Sequence, residues 1–466
     1  MYFRDVARLS IHAYTPSTAV KTFWLLWPIH GSLRGIQLKK FYAFASLCLL
    51  GMLGATFPSY AQSTAPPMGG NPIAPTNWSF QCMYGNDCGT NGKWITTASQ
   101  PGTVRLWDSG TNWAVLNPAP GSYDWKNLDT WLDLIAEHQP RAVIYTFGHT
   151  PCWISSGRCT GYKWDNWSPR PPTDLTSSGS ASFNAFVEEL TRHCSPAGHC
   201  VKDYIQYWEM WNEANQKIYW TGTPSQLYNL FKPVIPIVRN NIPGAITSTP
   251  PVCGGHTDWM TAWLNLEITR GRLSDYYGIH VYLRNLPPET RINMVRNMLA
   301  AKNAKGWTGT PWMNTETNFI NTTYTCSTSF SAADCQGQLV RWHVLQLASQ
   351  GAAGRGAFNI SWYNWPSIRS GGYDTYYYTM VKWLTGAAFT GTCTNRRTVW
   401  TCPLKEASGA TALIVWNAAG PSHYTPASEY VAYKYFNGKY GGATRSISRG
   451  QATTIGVQPV MFESSR

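Results

Sequence analysis

From about residue 78 to residue 390 the chain alternates short apolar runs with longer stretches whose apolar residues recur every three or four positions. The short runs are "WSFQCMYG", "TVRLWD", "RAVIYTFG", "IQYWEMW", "GAITSTPPV", "YYGIHVYL", "TPWMNTE" and "GAFNISWYNW". Their length and their β-branched and aromatic content predict strands. The stretches between them predict helices: "KNLDTWLDLIAEH", "ASFNAFVEELTRH", "SQLYNLFKPVIPIVRNN", "WMTAWLNLEITRG", "ETRINMVRNMLAAKNA", "AADCQGQLVRWHVLQLASQG" and "TYYYTMVKWLTGAAF". Thr173 or Ser180, and Thr223, are the expected N-caps, and Gly244 closes one helical stretch. Eight strands alternating with these helical stretches predict an α/β (β/α)8 TIM barrel. The competing doubly wound sheet would need a Gly-rich first turn, and no GxGxxG or Walker-type loop stands where one is required.

After about residue 391 the helical period disappears. "TVWTCPL", "ATALIVWN", "EYVAYKYF", "TRSISRG" and "TTIGVQPVMFE" are short strands separated by Gly, Pro and Ser, which predicts a small C-terminal β-sandwich over 391–466. Residues 62–77 read as a Pro/Gly-rich linker ahead of a barrel spanning 78–390.

The first 61 residues have a different character. Lys39 and Lys40 precede the apolar run "FYAFASLCLLGMLGATF", and Ser59 and Ala61 supply small residues before "QSTAPP". This predicts a leader and secretory signal peptide over 1–61, cleaved after Ala61, rather than an anchor, so no stable membrane insertion is expected afterwards. Six basic residues and Asp5 leave with that segment, so the formal charge of +13 falls to about +8. No Lys/Arg cluster remains of the kind a nucleic-acid stripe needs.

Cysteine usage fits an oxidising compartment, secreted or periplasmic. Ten of the cysteines form five close pairs along the chain: Cys82/Cys88, Cys152/Cys159, Cys194/Cys200, Cys326/Cys335 and Cys393/Cys402. Each pair is expected to close a short disulfide loop, and none has zinc-site spacing. Cys253 is left over as a buried free thiol at a strand end. The 24 Trp and 26 Tyr exceed ordinary use and suit stacking on sugar rings as well as a core.

Barrel chemistry sits at the C-terminal ends of strands. Glu213 ends strand four, Glu316 strand seven, His280 and Tyr282 strand six, and Trp362 and Trp365 strand eight. Arg105 and Trp107 lie near the end of strand two, and His149 follows strand three. Two carboxylates facing each other across a barrel mouth are what glycosidic cleavage requires. Glu209, two alternations below Glu213, reads as the structural partner of a barrel cation, and Arg105 has both Glu209 and Glu316 as candidate partners. His149 is open between ligand contact and loop support, and Trp107 between core and platform.

"WNEAN", "NTETN", "HVY" and "FGHTPCW", in this strand order and with a closing segment ending in "QPVMFE", resemble clan A glycoside hydrolases, most of all family 39 and its neighbours. The resemblance covers about residues 75–466. It departs at Ala214, where the family usually has proline. It implies that Glu213 is the general acid/base and Glu316 the nucleophile of a retaining reaction, supported by Arg105. Asn212 would bind the 2-hydroxyl, Tyr282 the nucleophile, and Trp362 or Trp365 the cleaved sugar; His280, His149 and Trp107 complete the expected site. The expectation is a secreted glycosidase with a glycan substrate, no cofactor and no metal. A carbohydrate-binding protein on a decayed barrel and a transglycosylase are the alternatives. Arg158, Lys163, Arg170 and Arg284 lie in loops that would reach an acidic sugar.

Overall fold

The computed structural model describes residues 79–80, 103–140, 142–157, 159, 167–319, 326–349, 357–363, 372–384, 386–436 and 444–465. The expected signal peptide, the linker, Cys82, Cys88, Arg158, Lys163 and Trp365 lie outside these residues.

Eight parallel strands follow one another along the chain: β1 (Ser79–Phe80), β2 (Thr103–Leu106), β3 (Ala142–Thr146), β4 (Tyr207–Glu209), β5 (Ile246–Ser248), β6 (Tyr277–His280), β7 (Trp312–Thr317) and β8 (Ala357–Trp362). The first five form one sheet in chain order, and the last three form another, with the short strand Val252–Cys253 on its β6 edge. A parallel bridge between Ser248 and Tyr276 links β5 to the entry of β6. Among the described residues strand order never reverses within either sheet, unlike the order of a doubly wound sheet at its switch point.

Among the described residues the helices of eight residues or more that connect these strands or follow β8 are α1 (Lys126–His138), α2 (Ala181–Arg192), α3 (Pro224–Phe231), α4 (Val234–Asn241), α5 (Thr257–Arg270), α6 (Pro288–Ala304), α7 (Ala332–Leu347) and α8 (Asp374–Leu384). Ser180 caps α2 by accepting from Phe183 N, and Thr223 with Gln226 forms a capping box on α3. The single helix expected over Ser225–Asn241 is two, because Pro233 has no N–H to continue the ladder and its ring crowds the preceding turn.

Alternation along the strands sorts the core. Val143, Tyr145, Trp208 and Trp312 pack outward into the main apolar cluster with the helices. Ala142, Ile144, Tyr207 and Met313 form a separate small cluster. Because Met313 belongs to the second sheet and the other three to the first, the two sheets share an interior. One pleat further along the same face of β3 and β4 stand Thr146 and Glu209, both fully buried polar residues.

The C-terminal region is antiparallel. β9 (Ala388–Phe389), β10 (Thr394–Arg396), β11 (Val399–Lys405), β12 (Thr411–Asn417), β14 (Tyr430–Tyr435), β15 (Arg445–Ser446) and β17 (Val460–Ser464) form a seven-stranded sheet. β13 (Ser422–Tyr424) and β16 (Thr453–Ile455) form a separate ribbon. Period-two alternation gives the sheet two apolar faces. Trp400, Cys402, Leu404, Ala412, Ile414 and Trp416 join the main core, whereas Val399, Leu413 and Val415 pack with Tyr424 and Ile455 of the ribbon. The Trp416 indole donates to Glu289 at 2.6 Å, and Arg341 reaches the same carboxylate oxygen at 2.9 Å, which ties the sheet to α6 and α7.

Four of the expected disulfides are present: Cys152–Cys159, Cys194–Cys200, Cys326–Cys335 and Cys393–Cys402. Cys253 corrects the sequence expectation. It is disulfide-bonded, not a free thiol, and its partner lies outside the described residues. Pairing by proximity along the chain finds only short loops, and a bridge between distant segments leaves no spacing signal. No helix of the described residues is long and apolar enough to cross a membrane.

Gly337 tests the docking of the sheet on α7. A Cβ there would meet the Val457 carbonyl oxygen at 2.3 Å. Helix propensity alone favours Gly337→Ala by about 1 kcal/mol, but the clash with backbone should cost about 1–3 kcal/mol. Chemical denaturation should find Gly337→Ala less stable than the parent. A gain in stability would mean that the sheet does not press on α7.

Candidate active site

The buried polar centre is built around Arg105 on β2, whose side chain is wholly inaccessible. Its Nε donates to Glu209 Oε2 at 2.9 Å, its Nη1 to Glu316 Oε2 at 2.9 Å and its Nη2 to Asn212 Oδ1 at 2.8 Å. Nη2 also donates to Glu209. One guanidinium thus joins the interior ends of β2 and β7 and the segment that continues β4. Glu209 is further saturated by Thr146 Oγ1 at 2.8 Å and Thr315 Oγ1 at 2.5 Å. Every group reaching it is a donor, so both of its oxygens act only as acceptors.

Two departures from regular strand geometry bring the remaining groups in. β4 ends at Glu209, and the chain then turns back on itself. Trp211 N donates to Glu209 O, and Trp211 and Glu213 take positive φ values of 75° and 41°. Glu213 therefore does not stand above Glu209 on one extended face. On β7 the register with β6 slips between Asn314 and Glu316, so Thr315 sits in a bulge. The bulge releases Thr315 from strict alternation, and both it and Glu316 reach the same centre.

Thr315 sets the hydrogen-bond polarity of the site. Its one hydroxyl proton goes to Glu209, so it must accept from His280 Nε2, 3.0 Å away. A neutral His280 with its proton on Nε2 can only accept at Nδ1, and Nδ1 lies 2.8 Å from Glu213 Oε1. Glu213 then supplies the proton. Glu316 is held differently: Arg105 donates to Oε2, and the Tyr282 hydroxyl donates to Oε1. The arrangement places a protonated carboxyl beside a clamped carboxylate. Glu213, His280 and Glu316 each bring one ligand atom within 4.8 Å of the others. A metal cation at this cluster would face the Arg105 charge and would have to displace these bonds.

Comparisons with known proteins bear on this geometry. No family model matches the sequence. Over 172 residues the chain is 26% identical to a beta-xylosidase of Geobacillus stearothermophilus, a match covering 35% of this chain and 32% of that protein, about a third of the relative's length. A glucosidase from Croceicoccus marinus superposes with a TM-score of 0.55 at 14% identity, covering 88% of this chain and 100% of that one. A conserved exported protein from Bacteroides fragilis gives a TM-score of 0.51 at 10% identity, covering 74% and 81%. The chain resembles the clan A glycoside hydrolases.

Within this glycoside-hydrolase-like chain, Glu213, Glu316, Asn212, His280, Tyr282 and Arg105 come together in one buried network. His149 and Trp107 belong to a separate aromatic group with Trp167 and Tyr219. The His149 ring stacks on Trp167 at 3.9 Å and lies 4.9 Å from Trp107, and burial pushes its pKa down to about 3. Trp362 is buried, stacked on His343 and edge-on to Phe319. Sequence reasoning missed Thr315 and Thr146, whose hydroxyls fix Glu209, and strand alternation hid Thr315 in particular. It named Arg284 only as a loop cation, whereas Arg284 is close enough to act electrostatically on Glu213.

Electrostatics separates the two acids. Burial, and then the Glu316 charge, lift Glu213 well above the ordinary carboxylate range, against Arg105 and Arg284. Burial lifts Glu316 too, but the Arg105 charge and the bonds from Tyr282 and Arg105 oppose it. Burial, and then Arg105, drive His280 well below its usual value, which keeps it neutral.

A folded Glu213 that holds its proton to higher pH than the unfolded chain loses relative stability as pH rises above the ordinary value of 4.5. Glu213→Gln, neutral at every pH, removes that loss. Its melting temperature should exceed the parent's by more at about pH 7 than near pH 4.5. A difference independent of pH would show that Glu213 titrates in the folded chain as it does in the unfolded one.

Proposed function

We propose that the chain is a glycoside hydrolase that cleaves O-glycosidic bonds by double displacement. The observation that carries the reading is the pair Glu213 and Glu316, with oxygens within 4.8 Å but opposite hydrogen-bond wiring. Retaining glycosidases hold their carboxyl groups about 5–5.5 Å apart, whereas inverting ones leave about 6.5–9.5 Å for a water. Glu316, kept as an anion by Arg105 and Tyr282, attacks the anomeric carbon and forms the glycosyl-enzyme. Glu213 gives its proton to the departing oxygen. It is then a carboxylate next to a neutral His280, and it takes a proton from the water that releases the sugar. With Asn212 Oδ1 engaged by Arg105, Nδ2 is the group that Asn212 presents to a substrate hydroxyl.

This reading includes a closed eight-stranded barrel, supported by the shared interior of the two sheets and by the proximity of β1 to β8. It also includes the C-terminal sheet and ribbon as a closing sandwich, and secretion, with which the four disulfides agree. The names of the relatives suggest a xyloside or a glucoside at the cleaved position.

Incubation with 2-deoxy-2-fluoro xylosides and glucosides should leave a covalent adduct on Glu316, located by peptide mapping and absent from Glu316→Gln. An adduct elsewhere would overturn the nucleophile assignment. With all probes silent, glycan binding without hydrolysis would favour a carbohydrate-binding protein instead. Glu213→Gln should slow hydrolysis of substrates with poor leaving groups by about 10²–10⁴-fold and spare activated aryl glycosides in the first step.

The role of Thr315 gives a separate test. Thr315→Val takes away the acceptor that holds the His280 proton on Nε2. The alkaline limb of kcat/KM should then move to lower pH while the acid limb stays in place. An unchanged alkaline limb would mean that Thr315 supports only the packing of β7.

A further inference from the structure

A cleft of about 310 Å³ opens between the start of α5 and one face of α6, lined by Thr257, Leu286, Thr290, Arg291, Met294 and Asn297. Gly255, at φ 79°, forms its remaining wall. A Cβ there would lie 2.9 Å from the Met294 side chain, so glycine keeps this wall open.

The cation in the cleft is unusual. Arg291 is only 7% exposed, and its Nε donates to the Tyr282 carbonyl, but its buried Nη2 has no hydrogen-bond partner among the described residues. No acid among the described residues lines the cleft. Burial, and then the charge of Arg284, push the Arg291 pKa down to about 10. A buried guanidinium with an orphaned donor and a like charge nearby lacks an anion. The first turn of α5 faces the same space through Thr257 and has no side-chain cap, although it also carries Asp258, which does not line the cleft.

We propose that this cleft is a second glycan subsite that binds a uronate residue, with the sugar carboxylate on Arg291 and the sugar ring against Leu286 and Met294. Thr257, Thr290 and Asn297 supply the hydroxyl and amide groups that a sugar's remaining hydroxyls need. An inorganic oxyanion offers nothing to the two apolar walls and fills little of the volume. The inference rests on the glycosidase reading for its ligand class. It also ties the subsite to the catalytic centre, because the carbonyl that Arg291 holds belongs to Tyr282, whose hydroxyl serves Glu316.

Calorimetric titration of the full chain with D-glucuronate, D-glucose and inorganic sulfate tests it. Glucuronate should bind at least ten-fold more tightly than either of the others. Arg291→Met should weaken that binding at least ten-fold. Because Arg291 also holds backbone, Asn297→Glu is the second variant: it lies on an exposed helical position, improves helix propensity, and puts a competing carboxylate into the cleft. It should weaken glucuronate binding at least ten-fold as well. Sulfate binding as tightly as glucuronate would overturn the sugar assignment, and an unaltered affinity in Asn297→Glu would overturn the location. Hydrolysis of aryl glycosides without glucuronate binding removes the subsite and leaves the enzyme. Binding abolished by Asn297→Glu in a protein that hydrolyses nothing removes the enzyme and leaves the subsite.

Discussion

Arg105 is the group on which the polar centre depends. It is fully buried and answers two buried carboxylates and an amide. Burial alone would lower its pKa, but Glu209 and Glu316 more than offset this. Removing it would leave both acids buried without a cation, at a cost of about 3–5 kcal/mol. An apolar replacement of the whole group could be as stable, so the group's value lies in geometry. It fixes where Glu316 stands relative to Asn212 and, through Glu209, where every donor around it must point.

That fixing propagates through hydrogen bonds that each allow one direction. Arg105 makes Glu209 an acceptor, Glu209 makes Thr315 a donor, Thr315 makes His280 Nε2 a donor, and His280 Nδ1 is left to accept from Glu213. The relay leaves Glu213 as the donor to His280, while burial and the Glu316 charge hold its proton against the pull of the Arg105 charge. The same cation bonds Glu316 directly and favours its anion. Two glutamates in one buried site thus differ in their hydrogen-bond partners, because one meets the guanidinium at first hand and the other only through a relay.

Much of this was legible in the chain, and the exceptions have physical causes. Alternating strands and amphipathic helices gave the parallel order, since burial on both faces leaves near-continuous apolar runs such as "AVIYT". The pairing of Glu213, Glu316 and Arg105 followed from their places at strand ends. Extended geometry was the assumption that failed. It put Glu209 and Glu213 on one face, whereas positive φ at Trp211 and Glu213 folds that segment over. It also offered no reason to look at Thr315 beside Glu316, whereas a bulge brings both toward the centre. The Cys253 disulfide and the Arg291 cleft were hidden for a related reason: each depends on segments distant in sequence meeting in space.

Asp108, His149, Trp211, Glu213, Arg284 and Asn285 all have positive φ without being glycine, and all lie just beyond the C-terminal ends of β2, β3, β4 or β6. Such conformations cost about 1–3 kcal/mol each, and they persist only where the surroundings leave no alternative. The tryptophans supply much of that constraint. Trp113, Trp208, Trp211, Trp220, Trp263, Trp312, Trp342, Trp362 and Trp416 are all fully buried, so much of the aromatic excess serves support rather than exposed stacking. Trp211 is itself one of the strained residues. Its ring is packed edge-on against Trp220, and its indole donates to the Tyr219 carbonyl. A residue anchored at both backbone and ring can hold the turn that carries Glu213 toward His280. The aromatic packing that anchors Trp211 and the backbone strain it carries are therefore parts of one arrangement, in which the core absorbs part of the cost of aiming Glu213.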